Sequence, residues 1–509
     1  MSERTVDVLV AGTGAAGCAS AIGAHDAGAD VLVVEKAPRH GGLSAMCSGF
    51  LRAAHDRAGA AAYLAATSGR RVDRELTDTM ADWMVELPDV LHELAAPLDA
   101  EVSVRFGDDQ GAHETADLYA WPGRDALGWA GVESIPGFDG YDWISPSKGH
   151  NLMRVLHHQV ERREIDTWMS TPLVELLGDR NGRITGAVVE RDGRRETVHT
   201  RGGVVLATGG FEWSSRLLAD HLEIPDITPI GHRYNTGDGV DLAQRAGAAT
   251  WHMWHLHGSY GFRPPGRVAM RNHLGGTRRD ERPVAWIIVD QYGRRFMNEA
   301  PPAPQDTPYR DLGWLDPETG EFPRIPCWTI FDDAGRRLGP VGRAAWSDPA
   351  DAYHWSADNA TEIDAGWIHR ADTLDELAAT IGVPGDALAD SVARWNRHVA
   401  DGHDPHGRPT GTMVPLDTPP YHAIETWPIV TNTQGGPRHD HHQRVLDPTG
   451  TPIDGLWCAG ELGSIFGHVY LLGGNLTEAV MGGRTAGRSA AGAAPRPADR
   501  RHDHTQEVA

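Results

Sequence analysis

The chain has 509 residues, 40% hydrophobic and 23% charged, a composition that suits a soluble globular protein of two or three domains. Its net charge of −23 argues against nucleic acid or anionic membrane partners. Cys18, Cys47, Cys327 and Cys458 are scattered, without CxxC or haem-attachment spacing, so neither a disulfide framework nor a metal cluster is expected and a reducing cytoplasm fits.

The opening MSERTVDVLVAGTGAAG lacks the basic and long apolar regions of a signal peptide, and no apolar run of about 18 residues predicts a membrane span. Thr5–Ala11 (TVDVLVA) reads as a buried parallel strand. GTGAAG follows, with Gly12, Gly14 and Gly17 at GxGxxG spacing, then a small-residue helix (CASAIGAHDAGA) and a second strand (DVLVVEK) ending near Glu35. Strand, glycine turn, helix, strand and acid form the order of a dinucleotide site. The first glycine permits the tight turn, the second lets backbone meet a pyrophosphate, and the third lets helix and strand pack closely. Helix N-terminal amides hold the phosphates, and Glu35 accepts hydrogen bonds from the ribose; Ala15, Ala16 and Lys36 belong to the same expected set. Gly41 and Gly42, followed by Leu43, Ser44 and Gly49, suit a cofactor that runs on past its pyrophosphate, which favours FAD over NAD.

Residues 51–145 read as helical and loop-rich. NLMRVLHHQVERR predicts an amphipathic helix, and TPLVELLGDRNGRITGAVVERDG a hairpin with an Asn-Gly turn, its Val174 assigned to the cofactor wall. GGVVLATGGF is a strand ending at Ala207, Thr208 and Gly209, and YNTGDGVDLAQRAGA a helix closed at Gly247. From about 251 the chain turns rich in Pro, Trp and His, with one strand in AWIIVDQYGRRFMNE. The expected organisation is a FAD-binding domain in two parts, 1–250 and 423–493, around a substrate-capping domain at 251–422, with a disordered tail at 494–509. In WHMWHLHGSYGF, His252, His255 and His257 lack an acid or cysteine to complete a metal set, so a pocket wall or packed interface is expected; RHDHH (438–442) reads as a solvated loop, and no metal is expected. GLWCAGELG is a strand leading to Glu461, and in HVYLLGGNLTEAV Tyr470 precedes a glycine turn that opens a helix.

Taken together, GxGxxG…E, ATGG and AGE…GGNL with a terminal helix resemble the flavoprotein family of fumarate reductases and succinate dehydrogenases, over nearly the whole chain. The resemblance implies a Rossmann-like α/β FAD-binding domain with an inserted α+β capping domain. It implies an extended FAD with its ribityl chain on Glu461 and the backbone amides of Asn475 and Leu476 at the flavin pyrimidine edge, where a helix dipole favours the reduced form. The family's Arg-x-Gly-Gly-Asn reads Leu471-Leu472-Gly473-Gly474-Asn475 here, its paired histidines read Thr431-Asn432, and APPAPQD follows RFMNE where an arginine is expected. Leu43 and Ser44 stand where covalent relatives carry histidine, so FAD is expected to be non-covalent. These departures point away from a dicarboxylate substrate.

The segment from TQGGPRHDHH to CAGE is similar to that of the 3-ketosteroid Δ1-dehydrogenases and tricarballylate dehydrogenase-like proteins. That resemblance implies roles for Tyr119, Tyr309, Tyr470 and the Gly474 amide. Tyr470 O–H and an amide near Gly474 polarise a substrate carbonyl, a second tyrosine takes the α-proton, and the flavin takes hydride from the β-carbon. The expected activity is dehydrogenation of a CH–CH bond beside a carbonyl, in a steroid-like or other polycyclic ketone, with an electron acceptor the sequence does not name. Ene reduction by the reverse path, and a flavoprotein subunit that passes electrons to a partner protein, are the alternatives.

Overall fold

A computed structural model describes residues 3–69, 71–107, 118–144, 147–267, 269–272, 283–301, 306, 308–343 and 353–494. The tail expected from 494 lies outside these, apart from Ala494.

Strand β1 (Glu3–Ala11), helix α1 (Ala15–Asp26) and strand β2 (Val31–Val34) form the opening unit. β1 runs parallel to β2 on one side and to the strand Arg194–Leu206 on the other, and Leu456–Cys458 continues the parallel set. Val6, Val8, Leu9 and Val10 are fully buried, as a strand covered on both faces requires. The sheet order is Arg444–Leu446, Pro452–Cys458, Arg194–Leu206, β1, β2, Asp166–Trp168, with the hairpin Leu173–Gly178 and Ile184–Arg191 attached to the long strand. That strand is longer than GGVVLATGGF suggests because its first half also pairs with the hairpin.

α1 is made of small residues because another backbone lies against it. It packs on the helix Gly483–Gly492, where an added Cβ at Gly487 would stand 2.0 Å from the Ser20 carbonyl oxygen and one at Gly483 2.5 Å from that of Ala16. Larger side chains would separate the two helices and tilt the N-terminus of α1.

Residues 51–145 depart from the helical reading. Phe50–Ala54, Leu127–Ser134 and Glu101–Phe106 form a three-stranded antiparallel sheet beside the helix Arg74–Ala95. Leu127–Ser134 (LGWAGVES) is buried along its first six residues, so no polar alternation marks it as a strand.

A second eight-stranded sheet centres on Tyr421–Thr433, which crosses residue 422 and pairs with Thr228–Pro229, Leu256–Phe262, Cys327–Asp332 and Ile368–Ala371. Of AWIIVDQYGRRFMNE only Ile287–Val289 is strand. The chain then turns at Gly293 and commits Arg295 and Glu299 to a buried ion network with Asp404 and Arg408. Among the described residues no helix is long and apolar enough to cross a membrane.

Candidate active site

A continuous cleft runs from the C-terminal ends of β1 and β2, past the end of Arg194–Leu206, to the turn at Gly473. It is where a doubly wound sheet binds ligands. It encloses about 1360 Å³ of space, part of it open to solvent.

The structure brings most of the expected cofactor residues to this wall: Gly12, Gly14, Ala15, Ala16, Glu35, Lys36, Gly42, Leu43, Ser44, Ala207, Thr208, Gly209, Glu461, Asn475 and Leu476, together with Tyr470. Four expected residues stand behind it. An added Cβ at Gly17 would lie 1.8 Å from the Gly12 carbonyl oxygen, so Gly17 sets the contact between α1 and the turn. Gly41 (φ +110) donates its N–H to the Thr13 carbonyl, and Gly49 (φ +74) passes against the Lys148 backbone. Val174 is replaced at the wall by its neighbour Leu173, as the alternation of a strand dictates.

The geometry fits an extended dinucleotide. Gly12 (φ +114) presses on Ala207, a Cβ there falling 2.2 Å from the carbonyl oxygen. At Gly14 a Cβ would meet nothing closer than 3.6 Å, which leaves a backbone cradle at the start of α1. Its N-cap residue, Gly14, has no side chain to cap the helix, and the Ala15 N–H donates to the Ser44 hydroxyl at 3.2 Å. The Glu35 carboxylate accepts from the N–H and hydroxyl of Thr13 and from the Ala37 N–H. Lys36 pairs with Asp238 at 2.7 Å.

Further along, buried carboxylates and amides form one network. Glu461 accepts from the Gly210 N–H at 2.8 Å and from the side-chain amides of Asn235 at 2.9 Å and Asn432 at 2.8 Å. Asn235 also donates to Glu212 at 2.9 Å. Burial raises Glu461 to about 7, and burial together with the Glu461 charge raises Glu212 well above the usual carboxylate range. Asn475 exchanges amide hydrogen bonds with Gln434 and reaches Ser464, whose hydroxyl donates to Glu478 at 2.7 Å.

Glu478 is 1% exposed, and burial lifts its carboxyl from 4.5 to about 7. A raised folded value means that stability is complete below pH 4.5 and is lost as pH rises toward 7, because the unfolded chain releases the proton first. Glu478→Gln removes that loss. Relative to the parent, its thermal stability should rise by roughly 2–3 kcal/mol between pH 5 and pH 8. Melting curves at the two pH values check this, and an unchanged difference would mean that Glu478 pays no ionisation cost.

The four expected catalytic groups separate. Tyr470 lines the cleft, and its hydroxyl accepts the Gly473 N–H at 3.1 Å, which leaves its own hydrogen to donate. Its ring lies 4.7 Å from that of His257. The Gly474 N–H donates to the Leu471 carbonyl at 2.6 Å and closes the turn, rather than facing a substrate carbonyl. Tyr309 is 5% exposed, packs beside Gly258, and burial pushes its phenol up to about 12 despite Arg310. Tyr119 stacks on Trp121 at 4.7 Å. Neither of these two tyrosines lines the cleft, but Arg310 is electrostatically coupled to both.

Of the histidines expected as pocket wall or packed interface, His257 is the one on the cleft wall. Its Nδ1 donates to the Asn432 side-chain oxygen at 3.0 Å. The Asn432 amide nitrogen faces Glu461, so its oxygen must face the histidine. Glu212 follows directly on ATGGF and belongs to no motif in the sequence. His439, expected in a solvated loop, is 2% exposed.

A family profile described as FAD binding domain matches residues 7–476. The fumarate reductase (cytochrome) of Shewanella frigidimarina is 28% identical over 490 residues, 96% of this chain and 77% of that protein. The 3-oxosteroid 1-dehydrogenase of Mycobacterium tuberculosis is 26% identical over 562 aligned positions, 92% of this chain and 95% of that protein. The fold is similar to that of the 3-ketosteroid Δ1-dehydrogenase of Sterolibacterium denitrificans, with a TM-score of 0.78 and 24% identity over 96% of this chain and 100% of that one.

Proposed function

The chain belongs to the FAD binding domain family and is an FAD-dependent oxidoreductase of the CH–CH class, and from that premise we propose that it dehydrogenates a neutral cyclic ketone beside its carbonyl. The observation that carries this reading is the polarity of the cleft near Tyr470. Among the described residues, Lys36 is the only lysine or arginine lining the cleft, and it pairs with Asp238 beside Glu35. Phe50, His257, Tyr470 and Leu472 line the other end. A dicarboxylate needs fixed cations, whereas a ketone oxygen needs one good donor.

Non-covalent FAD supplies the hydride acceptor when bound. Tyr470 offers its O–H to the substrate carbonyl, and the Gly473 N–H behind it strengthens that donor by polarising the phenol. A polarised carbonyl makes the neighbouring C–H acidic, and a base beside it takes that proton. Tyr309 or Tyr119, both of which Arg310 already faces, is the base in this reading, and to act it must turn toward the cleft.

Anaerobic mixing of the FAD-loaded protein with cyclic ketones, 3-oxosteroids among them, should bleach the flavin absorbance. Absence of any response to ketones, with rapid reoxidation of the reduced protein by fumarate, would overturn the proposal. Rapid reoxidation by an enone, without bleaching by the saturated ketone, would favour reduction as the working direction.

A further inference from the structure

We infer that the segment Trp251–His255 is a positioning clamp that sets Tyr470 over the cleft by holding the carbonyls of the loop Gly463–His468. The inference rests on the role given to Tyr470 above.

After Glu461 the chain runs to Tyr470 without regular structure, and residues 462–467 are buried. A buried irregular loop leaves carbonyl oxygens without ladder partners, and each must be met by another donor. Three of these oxygens meet the one short segment. Gly463 accepts Trp251 Nε1–H at 3.0 Å, Ser464 accepts His252 Nδ1–H at 2.8 Å, and Phe466 accepts His255 Nδ1–H. A carbonyl only accepts, so each imidazole nitrogen facing one must carry its hydrogen. Further along, Arg310 donates to the His468 carbonyl at 2.5 Å. The order of the donors along WHMWH, Trp251, His252 and His255, matches the order of the carbonyls along the loop.

His252 is the centre of this arrangement. Its backbone is left-handed (φ +54) although it is not glycine, a conformation that persists only where the surroundings impose it. It is 2% exposed, and its ring stacks on Trp251 at 4.4 Å with planes 10° apart. Burial holds its imidazole down at about 4, so it is a neutral donor at neutral pH. A Cβ at Gly467 would fall 2.2 Å from His252 Nε2, so the loop slides past this ring at glycine distance three residues before Tyr470. Phe466, whose carbonyl His255 holds, meets the Tyr470 ring edge-on at 5.6 Å. The clamp therefore reaches Tyr470 along the chain and through a neighbouring ring.

The test is a double-mutant cycle in the FAD-loaded enzyme, pairing His252→Leu with Tyr470→Phe, with His252→Asn as rescue. An asparagine amide nitrogen reaches the place of imidazole Nδ1, so it keeps the bond to Ser464 while losing the ring. Misplacement of a catalytic group by about 1 Å costs on the order of 10²-fold in rate. His252→Leu should lower kcat with a bleaching ketone by about that factor while KM holds, and His252→Asn should recover most of it. In the Tyr470→Phe background the His252→Leu change should cost little more. A substrate-free arm uses ¹⁹F NMR of fluorotyrosine-labelled protein, the Tyr470 signal being assigned by its loss in Tyr470→Phe. That signal should move or broaden in His252→Leu and return in His252→Asn. Equal losses with and without the Tyr470 hydroxyl, or an unmoved ¹⁹F signal, would overturn the clamp. A Tyr470→Phe enzyme with unchanged turnover would instead overturn the role of Tyr470, and the clamp with it.

Discussion

Tyr470→Phe should retain FAD and lose on the order of 10²-fold or more in turnover, the loss typical of removing one oxyanion-type donor. The ring would stay, with its contacts to His257 and Phe466, so the wall keeps its shape. The hydroxyl does two things that phenylalanine cannot. It accepts the Gly473 N–H at 3.1 Å, a bond worth about 1 kcal/mol to the turn, and it offers a hydrogen to the cleft. Loss of the first weakens the turn modestly. Loss of the second removes stabilisation from the charge that develops on a ketone oxygen, so kcat should fall far more than KM rises. Steady-state kinetics on protein with matched FAD content decides it. Near-normal kcat would leave Tyr470 as an aromatic lid, and the ketone reading would then lose its polarising group.

The glycine turn, the Glu35 position and the Gly473–Asn475 turn were legible because each depends on a few residues adjacent in the chain. Gly12, at φ +114 and pressed on Ala207, declares a backbone need that no other residue meets, and Gly14 leaves the cradle open. The tyrosines proposed as catalytic were harder, since a phenol's role depends on what faces it across the fold. Tyr470 sits three residues from Gly473 and reaches its N–H locally, so proximity in sequence was informative. Tyr119 and Tyr309 lie 190 residues apart in the chain and both face Arg310, which local pattern does not reveal. The histidines of WHMWHLH could be read as ligands, wall or packing, because their partners are distant in the chain: carbonyls more than 200 residues away for His252 and His255, Asp306 at the other His255 nitrogen, and Asn432 for His257. His257, two positions beyond His255 on the same stretch of chain, turns to the cleft instead. The network of Glu212, Asn235, Glu461 and Asn432 draws on four distant segments, and only Glu461 sat in a motif.

Gly17→Ala should be among the most disruptive glycine-to-alanine changes in the described residues. The added Cβ would lie 1.8 Å from the Gly12 carbonyl oxygen, 2.6 Å from its carbon and 3.6 Å from its Cα, so it meets backbone that no rotamer change can move aside. To admit it, α1 must separate from the end of β1, yet the other face of α1 is pinned. A Cβ at Gly487 would already stand 2.0 Å from the Ser20 carbonyl oxygen. Overpacking of this kind costs roughly 3 kcal/mol or more when neighbours cannot yield. It should also displace the leading amides of α1 from the Gly14 cradle, so stability and FAD retention should fall together. Gly492→Ala supplies the contrast. Gly492 ends the helix Gly483–Gly492 with nothing within 4 Å of an added Cβ, and the same chemical change there should stabilise by about 0.4–1 kcal/mol through helix propensity. Melting temperatures and FAD-to-protein ratios of the two variants measure this difference. If Gly17→Ala kept both at parental values, α1 and β1 would have slack between them, and the third glycine would be dispensable to the cofactor cradle.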